Sequence, residues 1–563
     1  MFIFKKLFTA CMLLCLFAAV AFTSCARLGS VSEKQIAPHI TIKETLVCKG
    51  RDIHWPLLDT SPDGTHMAYV APCGGIPAPL FNINHAGDPT LITWFGRKYE
   101  VIVDCVAGRI CPSMDRRSRI LYSRDSQHFA FVGHDADGKA FVVLDGVEGK
   151  HYDAVAEIGM WFSDDSKHLP YYAVIGPEYR HTPRLLPWME RDDVLVGGKY
   201  IPVMDGVEGK PSDKPYPSAA YFSPDGKRTA YPVKSGGKWS VILDGMEGRQ
   251  YDEVEYPQFS PDSRHFVYTA KSGGKQCVVV DGVESEWCDY ARVAISPSSR
   301  VACILQNASE HRGWIVMDGV RGKEYNWLTH TFVFSPDGRH YAYPAFSNGK
   351  WFMVLDGVEG KMYDKVDRPT FSPDSARFAY IAVTEGEKMV VLDGVEGKPY
   401  KKISDEDGPL FSPNSEYLAY MASLGQNEQF MVVNGVEGKH YVEIARPRFS
   451  PDSQRFAYVA ASDPKHKSYF IVADGKEHAA YDYVRPPVFS PDSKHLVYYA
   501  CRRDMRIHGT GLVYHLVADG VDIPWEYDEP QMVKGPFFSV PDKCHDILRS
   551  GWNLYHVELT FSE

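Results

Sequence analysis

Short runs of alternating apolar and polar residues follow one another along most of the chain, and turn residues separate them. A period of two is typical of β-strands with one buried face. In the unit 369–403, Ser372-Pro373-Asp374-Ser375 and Asp393-Gly394 stand between such runs, and Asx-Gly is a strong hairpin signal. The pattern predicts a four-stranded antiparallel sheet. Its strands are predicted at 369–371, 377–383, 388–392 and 398–403.

This unit recurs along the chain. Twelve copies of the turn are present, some of them degenerate, and the serines from Ser223 to Ser490 are 36–40 residues apart. A period of this length is typical of four-stranded repeats that stack on one another. The copies begin at Ser61, Ser123, Ser163, Phe222, Phe259, Ser296, Phe334, Phe371, Phe411, Phe449, Phe489 and Ser539. A second landmark, Asp-Gly-Val-Glu-Gly-Lys, is intact at Asp145, Asp205, Asp356 and Asp393.

The Phe-Ser-Pro-Asp turn before an aromatic strand resembles the WD40-like propeller repeats of the TolB type. The resemblance implies an all-β fold, a β-propeller of about twelve blades. Because one ring usually holds four to eight blades, we expect two tandem propellers, at 40–330 and 331–563. Six plus six and seven plus five blades fit equally well, and a single large ring is a third arrangement. The last unit is short, and residues 40–58 are expected to supply its missing outer strand.

Residues 1–25 have the layout of a secretory signal peptide, with Lys5 and Lys6 before an apolar run. Phe22-Thr23-Ser24-Cys25 resembles a bacterial lipobox. That resemblance implies lipidation of Cys25, a linker at 26–39, and an exported lipoprotein facing the periplasm or the cell surface. Ordinary cleavage nearby and an uncleaved anchor are the alternatives.

The remaining cysteines include Cys277 and Cys288, which flank an Asp-Gly-Val-Glu hairpin symmetrically. Paired strands would place them opposite each other, so a disulfide is one prediction. Two free, half-buried thiols are the other.

The formal net charge of −11 argues against binding to nucleic-acid phosphates. The chain has no Gly-x-Ser-x-Gly elbow, HExxH motif or phosphate loop. We therefore predict no catalytic residue, metal or cofactor, although a site carried by the propeller loops is left open. The turn aspartates, the hairpin residues Glu396 and Lys398 and the recurring histidines are interpreted as structural or solvated parts of the repeat.

Two insertions depart from the repeat, at about 72–94 and 176–193, and insertions in a regular scaffold often carry binding sites. The second insertion is cationic and aromatic, a composition enriched at protein interfaces. Its candidate binding residues are Tyr179, Arg180, His181, Arg184, Trp188 and Arg191. A weaker cluster comprises Arg502, Arg503, Arg506 and His508.

These features predict a non-catalytic protein-binding or scaffold module whose partner is an envelope protein. The only predicted membrane attachment is the lipid anchor. The alternative is a glycan-binding propeller or a polysaccharide lyase that uses the 176–193 insertion and the channel mouth.

Overall fold

The structure is a computed structural model, and it describes most of the chain after residue 30. Every regular secondary-structure element in the described ranges is a β-strand. The described residues contain no helix long and apolar enough to cross a membrane. The described residues are 31–37, 40–49, 59–60, 67–73, 98–103, 106–111, 120–156, 158–181, 193–329, 331–425, 427–462, 468–503, 512–523, 537–540, 543–550 and 553–561.

The strands are numbered in chain order and grouped into the sheets they form, which we call blades. The chain begins with β1 (Val31–Ala37) and β2 (Ile40–Lys49). Blade 1 contains β3 (Asp59–Thr60), β4 (Met67–Cys73), β5 (Lys98–Val103) and β6 (Val106–Cys111). Blade 2 contains β7 (Leu121–Tyr122), β8 (Phe129–His134), β9 (Ala140–Leu144) and β10 (Val147–Glu148). Blade 3 contains β11 (Ala154–Ala156), β12 (Tyr171–His181), β13 (Asp193–Met204) and β14 (Val207–Glu208).

Blades 4 to 7 follow with shorter hairpins. Blade 4 contains β15 (Tyr221–Phe222), β16 (Thr229–Ser235), β17 (Lys238–Leu243) and β18 (Met246–Glu247). Blade 5 contains β19 (Glu253–Phe259), β20 (Phe266–Ser272), β21 (Lys275–Val280) and β22 (Val283–Glu284). Blade 6 contains β23 (Tyr290–Ile295), β24 (Val301–Asn307), β25 (Arg312–Met317) and β26 (Val320–Arg321). Blade 7 contains β27 (Trp327–Leu328), β28 (Val333–Phe334), β29 (Tyr341–Ser347), β30 (Lys350–Leu355) and β31 (Val358–Tyr363).

Blades 8 to 11 repeat the arrangement, and the C-terminal strands complete a twelfth sheet. Blade 8 contains β32 (Lys365–Phe371), β33 (Phe378–Thr384), β34 (Glu387–Leu392) and β35 (Val395–Glu396). Blade 9 contains β36 (Lys402–Ile403), β37 (Leu410–Phe411), β38 (Leu418–Gly425), β39 (Glu428–Val433) and β40 (Val436–Glu437). Blade 10 contains β41 (Glu443–Phe449), β42 (Phe456–Ala461), β43 (Tyr469–Ala473) and β44 (Lys476–Glu477). Blade 11 contains β45 (Tyr483–Val484), β46 (Val488–Phe489), β47 (Leu496–Arg503), β48 (Leu512–Ala518) and β49 (Val521–Asp522). The last strands are β50 (Phe537–Val540), β51 (Lys543–Ser550) and β52 (Asn553–Phe561).

Each blade is an antiparallel meander, and the twelfth is closed by the two ends of the chain. Its strand order is β1-β2-β52-β51-β50, with Ile40 paired to Phe561 and Thr45 to His556. The predicted contribution of residues 40–58 to the last blade is therefore confirmed for β2. Twelve sheets with this order form a β-propeller, the predicted fold class.

The Ser-Pro-Asp turn forms because its own side chains satisfy the backbone groups of the turn. In blade 8, the Ser372 hydroxyl donates to Asp374 Oδ1 (2.5 Å) and accepts the Arg377 N–H (2.9 Å). Asp374 Oδ1 also accepts the Ala376 N–H (3.0 Å). The structural interpretation of the turn aspartates is confirmed, and Asx side chains in turns commonly play this role.

The hydrophobic core lies between neighbouring blades rather than within one sheet. One cluster joins Ala379, Ile381, Val390 and Tyr400 of blade 8 to Phe430 and other residues of blade 9. Similar clusters join blades 4 and 5, 5 and 6, 6 and 7, 7 and 8, and 9 and 10. Because a lone blade leaves both of its apolar faces in water, its stability comes from its neighbours.

The chain divides into two compact units. One comprises Lys139–Phe141 and Gly149–Leu496, and the other comprises Met1–Gly138, Val142–Glu148 and Val497–Glu563. The predicted boundary between two propellers at residue 330 stays a prediction. Residues on both sides of that boundary, including Tyr325 and Tyr343, share one core cluster with Ile304.

One detail of the predicted unit differs from the structure. The fourth strand of blade 8 is Val395–Glu396, followed by a single bridge from Tyr400 to Lys388, whereas Lys402–Ile403 begins blade 9. Proline two residues before the motif phenylalanine cannot donate to a ladder, which suits a strand end or an edge strand. Pro257, Pro369 and Pro447 lie in the first strands of blades 5, 8 and 10, which are edge strands of their sheets, at β-bulges.

The structure does not contain the predicted disulfide between Cys277 and Cys288. Both are buried free cysteines, and the residue opposite Cys288 is Gln276. Cys277 packs in the core between blades 4 and 5, whereas Cys288 packs in the core between blades 5 and 6. The Cys288 thiol donates to the Tyr290 carbonyl (2.9 Å). Adjacent residues of a strand face opposite sides of a sheet, which separates the two thiols.

Candidate functional site

The predicted binding insertion extends the longest hairpin of the described chain. β12 has 11 residues and β13 has 12, and register shifts lie between Ile175 and Tyr179. Tyr179, Arg180 and His181 are at the end of β12, opposite Leu195, Val194 and Asp193. Arg184, Trp188 and Arg191 lie outside the described residues, as does Cys25. Binding by this set stays a prediction.

The other departures from the repeat are also placed between the second and third strands of a blade. The 72–94 insertion follows β4, and residues 74–97 lie outside the described ranges. Arg502 and Arg503 end β47, opposite Val513 and Leu512, whereas Arg506 and His508 lie outside those ranges. In an antiparallel meander this end of the blade is opposite the Ser-Pro-Asp and Asp-Gly turns.

The histidines that recur after the turn have a structural partner in their own blade. Nδ1 of His265 lies 2.7 Å from Asp281 Oδ2, and the pair His340–Asp356 has the same distance. In blade 4 an arginine takes this place. Arg228 donates to Asp244 (2.9 Å) and also to the Arg264 carbonyl of blade 5 (2.7 Å). The interpretation of these histidines as part of the repeat is confirmed for both pairs.

The charged hairpins at the outer edges form a ladder between successive blades, which the sequence analysis missed. Lys398 at the end of blade 8 donates to Glu437 of blade 9 (2.6 Å), and the Tyr400 hydroxyl donates to the same oxygen (2.9 Å). These two bonds hold the pKa of the Glu437 carboxyl below its ordinary value. The other rungs are Lys150–Glu208, Lys210–Glu247, Arg249–Glu284, Arg321–Glu286, Lys323–Glu359, Lys361–Glu396 and Lys439–Glu477.

One rung has reversed polarity. Blade 6 has Arg321 where blades 2 to 5 and 7 to 10 have glutamate, and blade 5 has Glu286 where blades 2 to 4 and 6 to 9 have lysine or arginine. Arg321 donates to Glu286 (2.6 Å), so the pair is kept with its charges exchanged. The Arg321 guanidinium also lies 4.4 Å from the centre of the Trp314 ring. The exchange shows that these charges are matched across the gap between blades.

A second set of ion pairs fastens the opposite end of the blades. Lys275 of blade 5 donates to Asp289 Oδ1 (2.5 Å), and Asp289 Oδ2 accepts the N–H of Ser309 in the hairpin turn of blade 6 (3.2 Å). These bonds lower the pKa of Asp289 to about 2. Equivalent pairs are Lys139–Asp153, Lys199–Asp213, Lys238–Asp252 and Lys350–Asp364. Most of the repeated charges are therefore engaged by the fold.

In five blades the residue three positions before the motif aromatic residue has a positive φ angle. In blades 3 and 9 it is a glycine, Gly159 (φ 80°) and Gly408 (φ 60°). In blades 5, 8 and 10 it is Tyr256 (φ 54°), Arg368 (φ 55°) and Arg446 (φ 56°). A side chain larger than hydrogen is disfavoured in this left-handed region, so the last three residues are strained.

The strain arises from the bulges. Asp367 and Thr370 pair with Ile381 and Ala379, so Arg368 and Pro369 together oppose the single residue Tyr380. Proline has no N–H to donate, so its place in the bulge costs no ladder hydrogen bond. A bulge re-aims a side chain, and here it turns Arg368 into solvent.

The three strained side chains are exposed, and the fold makes little use of them. Tyr256 is 70% exposed. Within the described residues, the guanidinium of Arg368 has no hydrogen bond or ion pair. Arg446 lies 3.5 Å from Glu406, a contact between two exposed side chains. The Arg368 side chain passes 3.8–3.9 Å from the position a Cβ would take on Gly408, so the bulge of blade 8 lies beside the interruption between β36 and β37 of blade 9.

A polar cavity opens beside these bulges. It has a volume of about 410 Å³ and lies between blades 9 and 10. Lys402, Glu406, Asp407, Gln429 and Glu443 are among its lining residues. The cavity forms where the first strand of blade 9 is interrupted between β36 and β37. Among the described residues, no three or more His, Cys, Asp or Glu side chains are grouped so as to hold a metal ion.

We define the candidate residues as Tyr256, Arg368 and Arg446, which occupy the same position on the first strands of blades 5, 8 and 10; none of them lines the cavity. These residues were not predicted from the sequence. The signal for them was present, because each stands directly before the proline that precedes the motif phenylalanine by two positions.

No protein-family model and no curated protein matches the chain. Solved structures similar to parts of it include the crystal structure of a eukaryotic initiation factor, at 12% identity, 65% of this chain, 95% of that chain and TM-score 0.32. The Dos1 propeller is 12% identical over 49% of this chain and 87% of that chain, with TM-score 0.25. TolB from Acinetobacter baumannii is 12% identical over 55% of this chain and 80% of that chain, with TM-score 0.21. Because these TM-scores are low, the propeller assignment rests on the twelve sheets and their packing.

Proposed function

We propose that this chain is an exported, lipid-anchored, non-catalytic β-propeller that binds a partner protein in a bacterial envelope. One observation carries the proposal. The ladder and turn residues are engaged by neighbouring blades, whereas Tyr256, Arg368 and Arg446 are exposed at strained positions. Tyrosine and arginine dominate the binding energy of many protein interfaces. Strained residues also cluster at functional sites.

The position of these residues supports a binding role. In a propeller the first strand of a blade lies nearest the central channel, which is a common site for ligands. A proline that follows each strained residue fixes the local backbone. Side chains displayed on a rigid backbone lose less entropy when a partner binds.

A crosslinking pull-down from envelope extract tests the proposal, with the full lipidated chain as bait. A Tyr256→Ala/Arg368→Gln/Arg446→Gln variant removes the candidate site, and a variant of Arg180, Arg184, Trp188 and Arg191 removes the predicted insertion site. Arg264→Gln/Arg339→Gln is the matched control, because both arginines are highly exposed in turns. A protein captured by the control bait and lost with either site variant supports the proposal. Retention of only envelope polysaccharide contradicts it and favours the glycan-binding alternative.

Lipid anchoring has a separate test. Globomycin should cause a lipidated precursor to accumulate, and Cys25→Ala should release the chain from membranes. Unchanged membrane association in both experiments would remove the anchor from the proposal.

A further inference from the structure

The arginines on the first strands of blades 8 and 10 suggest what kind of partner this surface accepts. Arg368, Arg446 and Arg448 are all exposed. The chain as a whole carries a net charge of −11, so a local group of arginines is a departure from its general character. Guanidinium groups bind carboxylates with two parallel hydrogen bonds, which a lysine ammonium does not do.

The acidic groups of this region differ in how firmly they are held. Asp405 is bound by Lys388 at 2.6 and 2.7 Å, and Asp367 accepts the Arg368 N–H and lies 3.2 Å from Lys365. Glu406, which lines the cavity together with Asp407 and Glu443, is the acidic group that lies nearest to Arg446. It is 78% exposed, and its carboxylate lies 3.5 Å from Arg446, beyond a short hydrogen bond. An incoming carboxylate can therefore replace Glu406 on Arg446 at little cost, because exposed pairs of this kind are weak.

Backbone strain is a second, independent reason to assign Arg368 and Arg446 to binding. Glycine adopts the same left-handed conformation at the equivalent sequence position in blades 3 and 9, so that conformation does not require an arginine side chain. Gly408 stands between Arg368 and Arg446 in blade order, and the three atoms nearest to its Cβ position all belong to the Arg368 side chain, at 3.8–3.9 Å. The bulges thus display two arginines on either side of a glycine.

We propose that Arg368 and Arg446, with Arg448 beside them, bind a carboxylate-rich segment of a partner protein, and that Glu406 occupies Arg446 until the segment arrives. This inference rests on the proposed function and names the chemistry of the partner. The segment is extended and acidic, since carboxylates must reach two arginines displayed by different blades.

Fluorescence anisotropy with a fluorescein-labelled deca-glutamate peptide tests this inference on the full chain purified in detergent. We expect Arg368→Gln/Arg446→Gln to weaken binding by about fivefold or more, since two exposed charge pairs are lost. Arg264→Gln/Arg339→Gln removes the same charge elsewhere and should change affinity less than about twofold. Glu406→Gln should strengthen binding by about two- to threefold, because it frees Arg446.

Three results would overturn the inference: equal binding of deca-glutamine, equal loss in the control variant, or weaker binding by Glu406→Gln. Tighter binding of a decagalacturonate would replace the peptide by an acidic glycan and would also overturn it. The Arg368→Gly/Arg446→Gly variant repeats the test in case the glutamine variant misfolds, since glycine is the residue found at this position in blades 3 and 9. If the arginine variant still captures a partner in the pull-down, the proposed function is retained and only this binding site is excluded.

Discussion

The outer edges and the first strands of the same blades use charge differently. At the outer edges, lysine or arginine of one blade binds glutamate of the next, as Lys398 binds Glu437. On the first strands of blades 8 and 10, Arg368 and Arg446 stand at strained positions with little or no internal partner. The outer charges can be explained by the fold alone. The inner ones cannot, and this difference identifies the inner strands as the place to look for binding.

Acid should have the largest effect, because it acts on the ladder and turn carboxylates of many blades at once. Hydrogen bonds from the Ser223 hydroxyl and the Lys227 N–H lower the pKa of Asp225 to about 2, and ladder carboxylates such as Glu437 are also lowered. A carboxyl whose pKa is depressed by folding stabilises the fold above its unfolded value of about 4. That stability is lost as pH falls toward the folded value.

We therefore expect Tm to be nearly constant from pH 7 to about 5 and to decrease steeply between about pH 4.5 and 2. Differential scanning calorimetry over this range measures it. The first-strand arginines keep their charge at every pH in the series, so they contribute nothing to the decrease. A Tm that stays constant down to pH 3 would show that the ladder and turn contacts contribute little to stability.

Tyr400 gives the next largest effect, since it joins the ladder to the core. Its ring is 1% exposed and packs with Phe430 and Tyr420, and its hydroxyl donates to Glu437. Tyr400→Ala should lower the free energy of unfolding by about 3–5 kcal/mol, as other large-to-small core changes do. Tyr400→Phe keeps the ring and should cost about 1 kcal/mol for the lost hydrogen bond.

Chemical denaturation of the three proteins gives both values, and Tyr256→Ala is the matched control. Tyr256 is exposed and strained, so its removal should leave stability nearly unchanged. A loss at Tyr256 as large as that at Tyr400 would show that the inner strand depends on its side chain, and the comparison between the two regions would fail.

The repeat and its turns could be predicted from the sequence because they depend on contacts within one unit. Ser372 and Asp374 close their own turn, and the strand-closing role of β2 followed from the short last unit. The ladder could not be predicted, because Lys398 and Glu437 are 39 residues apart and belong to different blades. Alternation within a strand shows which face is buried and does not show which residues of two blades meet.

The same limit explains why the sequence could not decide between a disulfide and two free thiols. Cys277 and Cys288 are symmetric about their hairpin in sequence, but the observed register pairs Cys288 with Gln276. The missing N–H of the prolines before the motif phenylalanine is consistent with the edge strands in which they lie, but it does not reveal the bulges. At each bulge the residue before the proline adopts a left-handed backbone conformation. This backbone strain is the feature that identifies Tyr256, Arg368 and Arg446 as candidate residues.

Replacing a strained arginine by glycine, or Gly408 by alanine, should change the free energy of unfolding by smaller amounts and in opposite directions. Arg368→Gly and Arg446→Gly relieve left-handed strain of about 1–2 kcal/mol and lose about 0.5–1 kcal/mol through the greater freedom of the unfolded chain. We expect a net stabilisation of about 0.5 kcal/mol. Gly408→Ala should destabilise by about 1 kcal/mol, since its Cβ meets only ordinary contacts and strain is the main cost.

Urea unfolding of the three variants measures these differences. Gly159→Ala is the contrasting case, because its Cβ would lie 2.7 Å from the Ala219 nitrogen and a clash would add to the strain. Stabilised arginine-to-glycine variants that no longer bind deca-glutamate would show that the arginines serve binding at the expense of stability. Destabilised variants would show instead that the arginines support the fold.

The reversed rung gives the smallest effect and the sharpest test of the ladder. Glu286→Lys places two positive charges together, and Arg321→Glu does the same with two negative charges. Each single change should lower Tm by about 1–3 °C, since exposed pairs contribute little and like charges repel. The double exchange Glu286→Lys/Arg321→Glu gives this rung the polarity of the others and should recover part of the loss, short of the contact of Arg321 with Trp314 and its ion pair with Glu324. A double variant as unstable as the sum of its parts would mean that the two charges act independently, and the ladder would then be a row of neighbouring surface charges without mutual stabilisation.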